Sequence, residues 1–265
     1  PGGRGKGRRS GGVGRWAAAG AALAALLVAL CVAAGGADAK LLAIDLGSDT
    51  TKIALVKHGK NPISLVTNEM SKRKTPTKVC FSKGSRLFGE AAASLEQRYP
   101  ASVFTRIRDA LGQTGGEDTP IQNLYKTSHR PYKMSQADDG ALLFEIENGE
   151  KYSAEELVGM MLEYFADLGS EFTESKKKLR DVAVIIPSFY GLKERHALAS
   201  AGRIAGINVL GFINTAAAAS LHYAKDKSFF NRTEEILFFN LGASYSEASL
   251  VKFSEFKVAK KKDPV

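Results

Sequence analysis

Two stretches of this chain match in step although they lie 195 residues apart. Residues 44–56 read IDLGSDTTKIALV, residues 239–251 read FNLGASYSEASLV, and the two align without a gap. In each stretch, apolar strand-forming residues flank a short glycine-containing turn, which is the pattern of a β-hairpin. The separation is far too long for a solenoid repeat. The pair therefore predicts a duplicated architecture, with one hairpin at the start of each of two lobes.

The segment before the second hairpin alternates strand and helix patterns. Residues 181–187 (DVAVIIP) are typical of a buried strand, and residues 191–206 predict a helix that Gly206 ends. NVLGFIN and AAAASLHYAK then predict a further strand and a further helix. This alternation indicates an α/β domain whose sheet is partly parallel.

The middle of the chain predicts a helix preceded by a hairpin. Asn148 and Gly149 form the turn between LLFEIE and EKYS. Ser153 and Glu156 then have the spacing of a capping box, and apolar residues follow at helical spacing. Residues 112–150 are otherwise polar and rich in turn formers, so we expect a loop-rich insertion subdomain there.

The first 39 residues differ from the rest of the chain. Five basic residues precede the apolar stretch 16–34, and Ala37-Asp38-Ala39 fits a small-residue cleavage site. This order is typical of a secretory signal peptide. A membrane anchor is the alternative, since the apolar stretch has 19 residues, which is near spanning length. Its richness in Ala and Gly favours the cleaved signal, so residues 1–39 are predicted to be removed.

Charge gives no indication of a nucleic-acid partner, and the cysteine content excludes one class of protein. Removal of residues 1–39 leaves 32 basic and 27 acidic residues, a net charge of +5, which does not call for a nucleic-acid partner. Cys80 is then alone, so a disulfide-stapled module is excluded and a core-stabilised domain is expected. Asn231 begins a glycosylation sequon, which is usable only in the secretory pathway. We therefore expect no nucleic-acid partner and no membrane anchor after cleavage.

Several motifs in order resemble the 70-kDa heat-shock chaperone family. The run at 182–224, VAVIIPSFYGLKERHALASAGRIAGINVLGFINTAAAASLHYA, resembles one segment of that family. IDLGSDTT resembles its first phosphate loop, and KTP with FGEAAAS resembles its next signature. The resemblance covers roughly residues 41–265. It implies an actin-like ATPase (ribonuclease H-like) α/β fold with ATP or ADP and Mg²⁺ as cofactors.

The resemblance also implies a division of the chain. Residues 40–228 would form the first lobe of the nucleotide-binding domain, and residues 229–265 would begin a truncated second lobe. In the family most of the adenosine pocket lies further downstream. We therefore expect poor nucleotide affinity from this segment alone, and an exposed apolar face on its second hairpin.

Both hairpin turns are expected to contact phosphate. Backbone amides at a glycine turn can point at phosphate oxygens. The resemblance implies that Asp45 holds Mg²⁺ through water and that Asn240 does so weakly, without charge. Asp49 stands where the family has a hydroxyl residue, and a carboxylate there repels a triphosphate. The predicted nucleotide-binding residues are Asp45, Gly47, Ser48, Asp49, Thr50, Gly242, Ala243 and Ser244.

Groups that would support hydrolysis are replaced. The resemblance implies a lysine where this chain has Ala93, a glutamate where it has Thr215, an aspartate where it has Asn240, and a threonine where it has Tyr245. Loss of one preorganised group typically slows a reaction about 100- to 1000-fold. No catalytic residue is therefore predicted, and hydrolysis is expected to be weak or absent.

The leader, the acidic residue Asp49 and the alanine Ala93 are together similar to the large 170-kDa glucose-regulated (hypoxia up-regulated) branch of the family. This resemblance implies a chaperone of the endoplasmic reticulum lumen that holds unfolded chains. It also implies a nucleotide-exchange partner for the standard reticulum chaperone of the same family. The alternatives are an active ATPase chaperone, a sugar or acyl kinase on the same superfold, and an interaction module that binds no nucleotide.

Overall fold

The computed structural model describes residues 40–57, 62–116, 118–173, 178–229 and 232–255. The predicted leader, residues 1–39, and the predicted glycosylation site Asn231 lie outside the described residues. No helix in the described ranges is both long enough and apolar enough to cross a membrane.

The described residues form both strands and helices. The strands are β1 (Lys40–Asp45), β2 (Thr50–Lys57), β3 (Ile63–Val66), β4 (Thr75–Pro76), β5 (Lys78–Ser82), β6 (Ser85–Phe88), β7 (Val103–Thr105), β8 (Lys133–Gln136), β9 (Leu142–Glu145), β10 (Lys151–Ser153), β11 (Asp181–Ile186), β12 (Asn208–Asn214), β13 (Thr233–Leu241) and β14 (Ser246–Ser254). The α-helices are α1 (Gly89–Leu95), α2 (Pro120–Thr127), α3 (Ala154–Phe172), α4 (Leu192–Ile204) and α5 (Thr215–Ala224), with a short 3₁₀ helix at Ile107–Ala110.

The main sheet has the strand order β12-β11-β1-β2-β3, with β4 paired to β2. β1 runs parallel to β11 and β11 runs parallel to β12, whereas β1 and β2 form an antiparallel hairpin. The predicted first hairpin and the predicted partly parallel sheet are therefore confirmed. Two three-stranded sheets, β10-β9-β8 and β6-β5-β7, lie beside the main one. Cys80 is fully buried in β5.

Helix α3 forms the centre of the core. Its capping box is complete, because Ser153 Oγ accepts from Glu156 N and Glu156 Oε2 accepts from Ser153 N. Leu157, Met161 and Phe165 along its inner face are fully buried. Their spacing of four residues places them on one side of the helix, and they pack with the buried residues of the main sheet in one hydrophobic cluster.

The segment at 112–150 differs in part from the prediction of a loop-rich insertion, because it contains α2 and β8 in addition to the predicted hairpin, whose strands are β9 and β10. Thr119 caps α2 by accepting a hydrogen bond from Gln122 N, and a proline follows at the first helical position. Ile121 and Tyr125, four residues apart, bury one side of this short helix. A largely polar composition therefore concealed an amphipathic helix with two buried anchors.

The second predicted hairpin is confirmed as β13 and β14, which form a sheet of two strands. Its side chains alternate between exposed and half-buried positions along both strands. The half-buried face packs on α5, where Phe238 and Phe253 lie with their ring centroids 5.7 and 5.3 Å from that of Tyr223. The other face is exposed, as expected.

Candidate functional site

The candidate site lies at the edge of the main sheet where its parallel strands end. Asp45 at the end of β1 stands opposite Ile185, and Ile186 at the end of β11 stands opposite Asn214 at the end of β12. The segments that follow these strands therefore leave the sheet at the same edge. Crevices at the carboxyl ends of parallel strands are the usual ligand sites of open α/β sheets.

The first loop joins β1 to β2 and makes a tight turn at Gly47. A Cβ atom at Gly47 would lie 2.1 Å from the carbonyl oxygen of Thr50, the first residue of β2. Only glycine fits that approach without a backbone shift. The carbonyl oxygen of Asp49 accepts a hydrogen bond of 2.8 Å from Thr77 N, which fixes the end of the loop against the start of β5. The loop backbone is therefore held rigidly.

Each carboxylate of the first loop has a lysine beside it. Asp45 Oδ2 lies 3.0 Å from Lys52 Nζ, and Asp49 Oδ1 lies 3.6 Å from Lys78 Nζ. Both aspartates keep about half of their side-chain surface exposed, at 42% and 54%. Asp45 therefore remains accessible to a hydrated Mg²⁺ ion. The lysine beside Asp49 partly offsets the repulsion that its carboxylate would exert on a phosphate.

A buried arginine on the 3₁₀ helix supports the first loop from below. The Arg108 side chain is only 4% exposed, and its Nη1 donates a 3.0 Å hydrogen bond to the carbonyl oxygen of Leu46. Its Nη2 donates to Ser48 Oγ and, at 2.8 Å, to Asp109 Oδ1. Ser48 is itself buried and donates its hydroxyl to the same carboxylate oxygen at 2.8 Å.

Tyr190 completes the surroundings of this arginine. Its hydroxyl donates a 3.1 Å hydrogen bond to the carbonyl oxygen of Arg108. Burial by itself would lower the pKa of Arg108, but Tyr190 and Asp109 outweigh it and the pKa lies above its ordinary value. Burial raises the pKa of Tyr190. Near neutral pH a protonated guanidinium and a neutral phenol therefore lie beneath the first loop.

The second loop, between β13 and β14, reaches the same group of residues. Ser244 Oγ donates a 2.5 Å hydrogen bond to Asp109 Oδ2. Arg106 Nη2 contacts the carbonyl oxygen of Ala243 at 3.5 Å, and the guanidinium of Arg108 lies 5.2 Å from the ring centroid of Tyr245. The structure thus brings Ser48 of the first loop and Ser244 of the second together on one carboxylate.

The turn of the second loop is looser than that of the first. Gly242 N donates a 3.0 Å hydrogen bond to the carbonyl oxygen of Tyr245, which closes the turn. A Cβ atom at Gly242 would lie 3.2 Å from that oxygen, against 2.1 Å at the equivalent place in the first loop. Tyr245 packs edge-on against Phe189 with a centroid distance of 4.9 Å. The position at which the resemblance implies a threonine is therefore taken by an aromatic contact.

A cavity of about 240 Å³ lies between one end of α5 and the second hairpin. Its polar lining includes Thr215, Asn240 and Glu247. Thr215 Oγ1 donates a 3.1 Å hydrogen bond to the carbonyl oxygen of Ile186. Both carboxylate oxygens of Glu247, which stands opposite Asn240, are buried and have no hydrogen-bond partner within the described part of the chain. A carboxylate beside an amide oxygen is a donor set that suits a cation.

Two further predicted positions are Ala93 and Asn231. Ala93 lies half-buried in α1, where its carbonyl oxygen accepts from Glu96 N at 3.3 Å. Asn231 belongs to the residues that the structure does not describe. No group of three or more His, Cys, Asp or Glu side chains that could hold a metal ion occurs among the described residues. A cation here would depend on water and phosphate oxygens as well as on protein ligands.

Sequence reasoning missed the residues that connect the two loops. The 3₁₀ helix supplies Arg108 and Asp109, its N-cap residue is Arg106, and the segment after β11 supplies Tyr190. Three charged residues within the otherwise apolar stretch VFTRIRDAL were the available signal, since charged side chains rarely enter a core unpaired. Glu247 was also missed, although its position falls on the inward-facing alternation of β14.

Comparison with known proteins identifies the family. The Hsp70 protein family model matches residues 41–261. Hypoxia up-regulated protein 1 of Danio rerio is 33% identical over 82% of this chain and 22% of its own length. Heat shock 70 kDa protein 17 of Arabidopsis thaliana is 36% identical over 83% of this chain and 25% of its own length. The human hypoxia up-regulated protein 1 is 30% identical over 89% of this chain and 23% of its own length.

The chain spans about a quarter of the length of these curated relatives. The family match covers the main sheet, the helices around it and both hairpins, and it confirms the predicted actin-like ATPase fold. The relatives confirm the predicted similarity to the hypoxia up-regulated branch. This chain belongs to the Hsp70 protein family.

Proposed function

We propose that this chain is the nucleotide-binding part of a chaperone that binds ATP or ADP with Mg²⁺ and hydrolyses ATP weakly or not at all. The observation that carries the proposal is the meeting of two glycine turns at the carboxyl edge of the parallel sheet, joined by Ser48, Asp109 and Ser244. This meeting of the two loops supports the binding of one triphosphate by both of them. Members of the Hsp70 family generally bind ATP and ADP with Mg²⁺.

The residues of the first loop fit a magnesium nucleotide. A glycine turn of this kind can offer the backbone amides of Ser48, Asp49 and Thr50 to phosphate oxygens. Asp45 is exposed enough to accept a water molecule of a bound Mg²⁺ ion. The ion, when bound, would neutralise phosphate charge. The second loop adds the backbone of residues 242–244, and Asn240 offers an uncharged oxygen.

Weak hydrolysis follows from the groups at the replaced positions. Ala93 carries no charge. The hydroxyl of Thr215 is already bonded to the carbonyl oxygen of Ile186. Asn240 supplies an amide where a carboxylate is expected. A site of this kind keeps phosphate contacts but lacks preorganised groups to orient the attacking water and balance developing charge. Nucleotide binding can still favour one arrangement of the lobes without hydrolysis.

The remaining parts of the proposal concern the longer protein. Residues 1–39 act as a cleaved signal peptide, residues 40–228 form the first lobe, and residues 229–265 begin the second. The basic, apolar and small-residue order of the leader supports an endoplasmic reticulum location. The similarity to hypoxia up-regulated protein 1 supports a role in stress, in which the protein holds unfolded chains and exchanges nucleotide on the standard reticulum chaperone.

Calorimetry and single-turnover kinetics on the full-length protein test the nucleotide part. We expect Mg²⁺-dependent binding of ATP and ADP, with hydrolysis about 100-fold or more slower than in an ordinary family member. Asn240→Asp restores a carboxylate of the same size and is expected to raise the hydrolysis rate. Wild-type turnover at the ordinary rate would contradict weak hydrolysis. Absence of any nucleotide binding would favour an interaction module instead.

Two further assays test the chaperone part. The protein is expected to suppress aggregation of a heat-unfolded client and to accelerate the release of labelled ADP from the standard reticulum chaperone. Asp118→Asn is a control that should behave like the wild type in both assays, since the Asp118 side chain is 82% exposed and pairs only at the surface with Lys126. Release of ADP at the uncatalysed rate would refute the exchange role. Phosphate transfer to a small sugar or acyl acceptor would favour the kinase alternative.

A further inference from the structure

Asp109 touches both loops through different oxygen atoms. Its Oδ1 accepts from Ser48 Oγ at 2.8 Å, and its Oδ2 accepts from Ser244 Oγ at 2.5 Å. The residues joined in this way are 61 and 135 positions from Asp109 in the sequence. The side chain of Asp109 is 12% exposed, so the carboxylate is largely withdrawn from water. One small anion therefore bridges the two turns.

The surroundings of this carboxylate resemble those that a phosphate would require. Arg108 donates to Asp109 Oδ1 from Nε at 3.2 Å and from Nη2 at 2.8 Å, and two hydroxyl groups complete the set. Guanidinium and hydroxyl donors of this kind make strong charge-assisted hydrogen bonds to carboxylate and phosphate alike. The hydrogen-bond donors between the two loops therefore already bind an internal anion, the carboxylate of Asp109.

Two more contacts hold the turn of the second loop. Arg106 reaches the carbonyl oxygen of Ala243, and Arg108 lies over the ring of Tyr245. The rest of the second hairpin packs on α5 through its aromatic face. The turn is thus held by the 3₁₀ helix and the strands are held by α5. Loss of the contact with Asp109 is expected to loosen the turn without detaching the hairpin.

We propose that Asp109 is an internal anion that holds the two loops together in the nucleotide-free protein, and that the phosphates of an incoming nucleotide displace it. This inference rests on the proposed nucleotide binding, since it concerns the same cleft. A carboxylate and a phosphate within a few ångströms repel each other. Displacement would release the hydroxyl groups of Ser48 and Ser244, together with Arg108, to the nucleotide. Asp109 therefore lowers nucleotide affinity.

Calorimetric titration of full-length Asp109→Asn with Mg-ADP and Mg-ATP tests the competition. The variant keeps the size of the side chain and removes its charge. We expect the dissociation constants to fall about tenfold, which corresponds to 1.4 kcal/mol. Asp118→Asn, which removes the same charge from an exposed site, should leave them unchanged. Equal or weaker binding by Asp109→Asn would overturn the proposal, because the carboxylate would then be neutral or helpful to binding.

Hydrogen–deuterium exchange without nucleotide tests the bridge by itself. Ser244→Ala removes one hydroxyl and leaves the pair of Arg108 and Asp109 intact, so it remains informative if Asp109→Asn does not fold. We expect faster amide exchange in residues 241–246 and unchanged exchange in α5. Unchanged exchange in the turn would show that no bridge exists. If no variant binds nucleotide, the proposed nucleotide binding and the displacement both fail, whereas the exchange result still decides the bridge.

Discussion

The two hairpins align without a gap, yet the first contributes to the core whereas the second has one half-buried and one exposed face. Ile44 of the first hairpin is 0% exposed, and Phe239 at the equivalent position of the second is 68% exposed. Leu55 and its equivalent Leu250 are 3% and 68% exposed. The same local pattern therefore takes part in a core at one place and forms a surface at the other.

The neighbours of each hairpin explain the difference. β1 lies between β2 and the parallel strand β11, and α3 covers it so closely that a Cβ atom at Gly169 would meet Leu42 at 2.6 Å. The second hairpin forms a two-stranded sheet and has α5 against one face. A hairpin acquires a buried face only from the elements packed on it.

The two hairpins also bury opposite alternations of side chains. In β1 the buried alternation includes Leu42 and Ile44. In β13 the position equivalent to Ile44 faces outward, and Phe238, one residue earlier, packs toward α5. Since side chains alternate along a strand, a shift of one residue exchanges the two faces. A sequence match thus identifies a hairpin without identifying its buried side.

Matched truncations of the equivalent apolar residues should give the largest contrast. Ile44→Ala leaves a cavity in the core and should lower the free energy of unfolding by about 2 to 5 kcal/mol. Phe239→Ala removes an exposed side chain and should change it by less than about 0.5 kcal/mol. Urea denaturation followed by circular dichroism measures both. Similar losses for the two variants would show that the outer face of the second hairpin is buried in solution.

Acid should weaken the ion pairs around the first loop more than it weakens those on the second hairpin. Burial alone would raise the pKa of Glu96, but hydrogen bonds from Lys78 and Arg130 outweigh it, and the pKa lies below its ordinary value. The carboxylate therefore stabilises the fold above its unfolded pKa of about 4.3, and this contribution is lost as the pH falls through the lower folded pKa. Lys78 also faces Asp49 of the first loop.

Glu96→Gln should accordingly cost about 1.5 to 3 kcal/mol near pH 7. The difference from the wild type should shrink as the pH falls below about 4.3. Glu235→Gln, at an exposed pair 3.7 Å from Lys252 on the second hairpin, is the control and should cost less than about 0.5 kcal/mol. Denaturation midpoints from pH 3 to pH 7 distinguish the two, and a pH-independent cost for Glu96→Gln would contradict the assignment.

The two turn glycines should differ in their tolerance of a methyl group. Gly47→Ala forces a contact of 2.1 Å with a backbone oxygen and should cost about 1 to 3 kcal/mol through a local backbone shift. Gly242→Ala meets the corresponding oxygen at 3.2 Å, so a small adjustment suffices and its cost should be lower. Thermal unfolding measures both variants. A larger loss at Gly242 would show that the second turn is the tighter one.

Polar substitution on the outer face of the second hairpin should have the smallest effect on stability. Phe239→Thr with Leu250→Thr replaces two exposed apolar side chains on neighbouring strands with a β-branched residue that suits strands. In the 265-residue chain the free energy of unfolding should stay within about 0.5 kcal/mol, and binding of a hydrophobic dye should fall. Unchanged dye binding would show that this face is not the apolar surface that the dye detects.

Local patterns were sufficient to predict most of the elements. The capping box at Ser153 and Glu156, the glycine after α4 and the apolar run of β11 are recognised from neighbours a few residues apart. The helix α2 was missed because its apolar anchors, Ile121 and Tyr125, are few and stand in a polar stretch. Short-range sterics and side-chain periodicity determine these features, so they can be recognised from the sequence alone.

The sequence by itself determined the two hairpins, the alternation of strands and helices, and the glycine turn at Gly47. Only the tertiary structure decided which hairpin is buried and which residues meet at the site. Ser48, Asp109 and Ser244 come together because the sheet edge, the 3₁₀ helix and the second hairpin pack against one another. No local pattern encodes a contact across 135 residues, since it depends on the packing of whole elements rather than on neighbours in the chain.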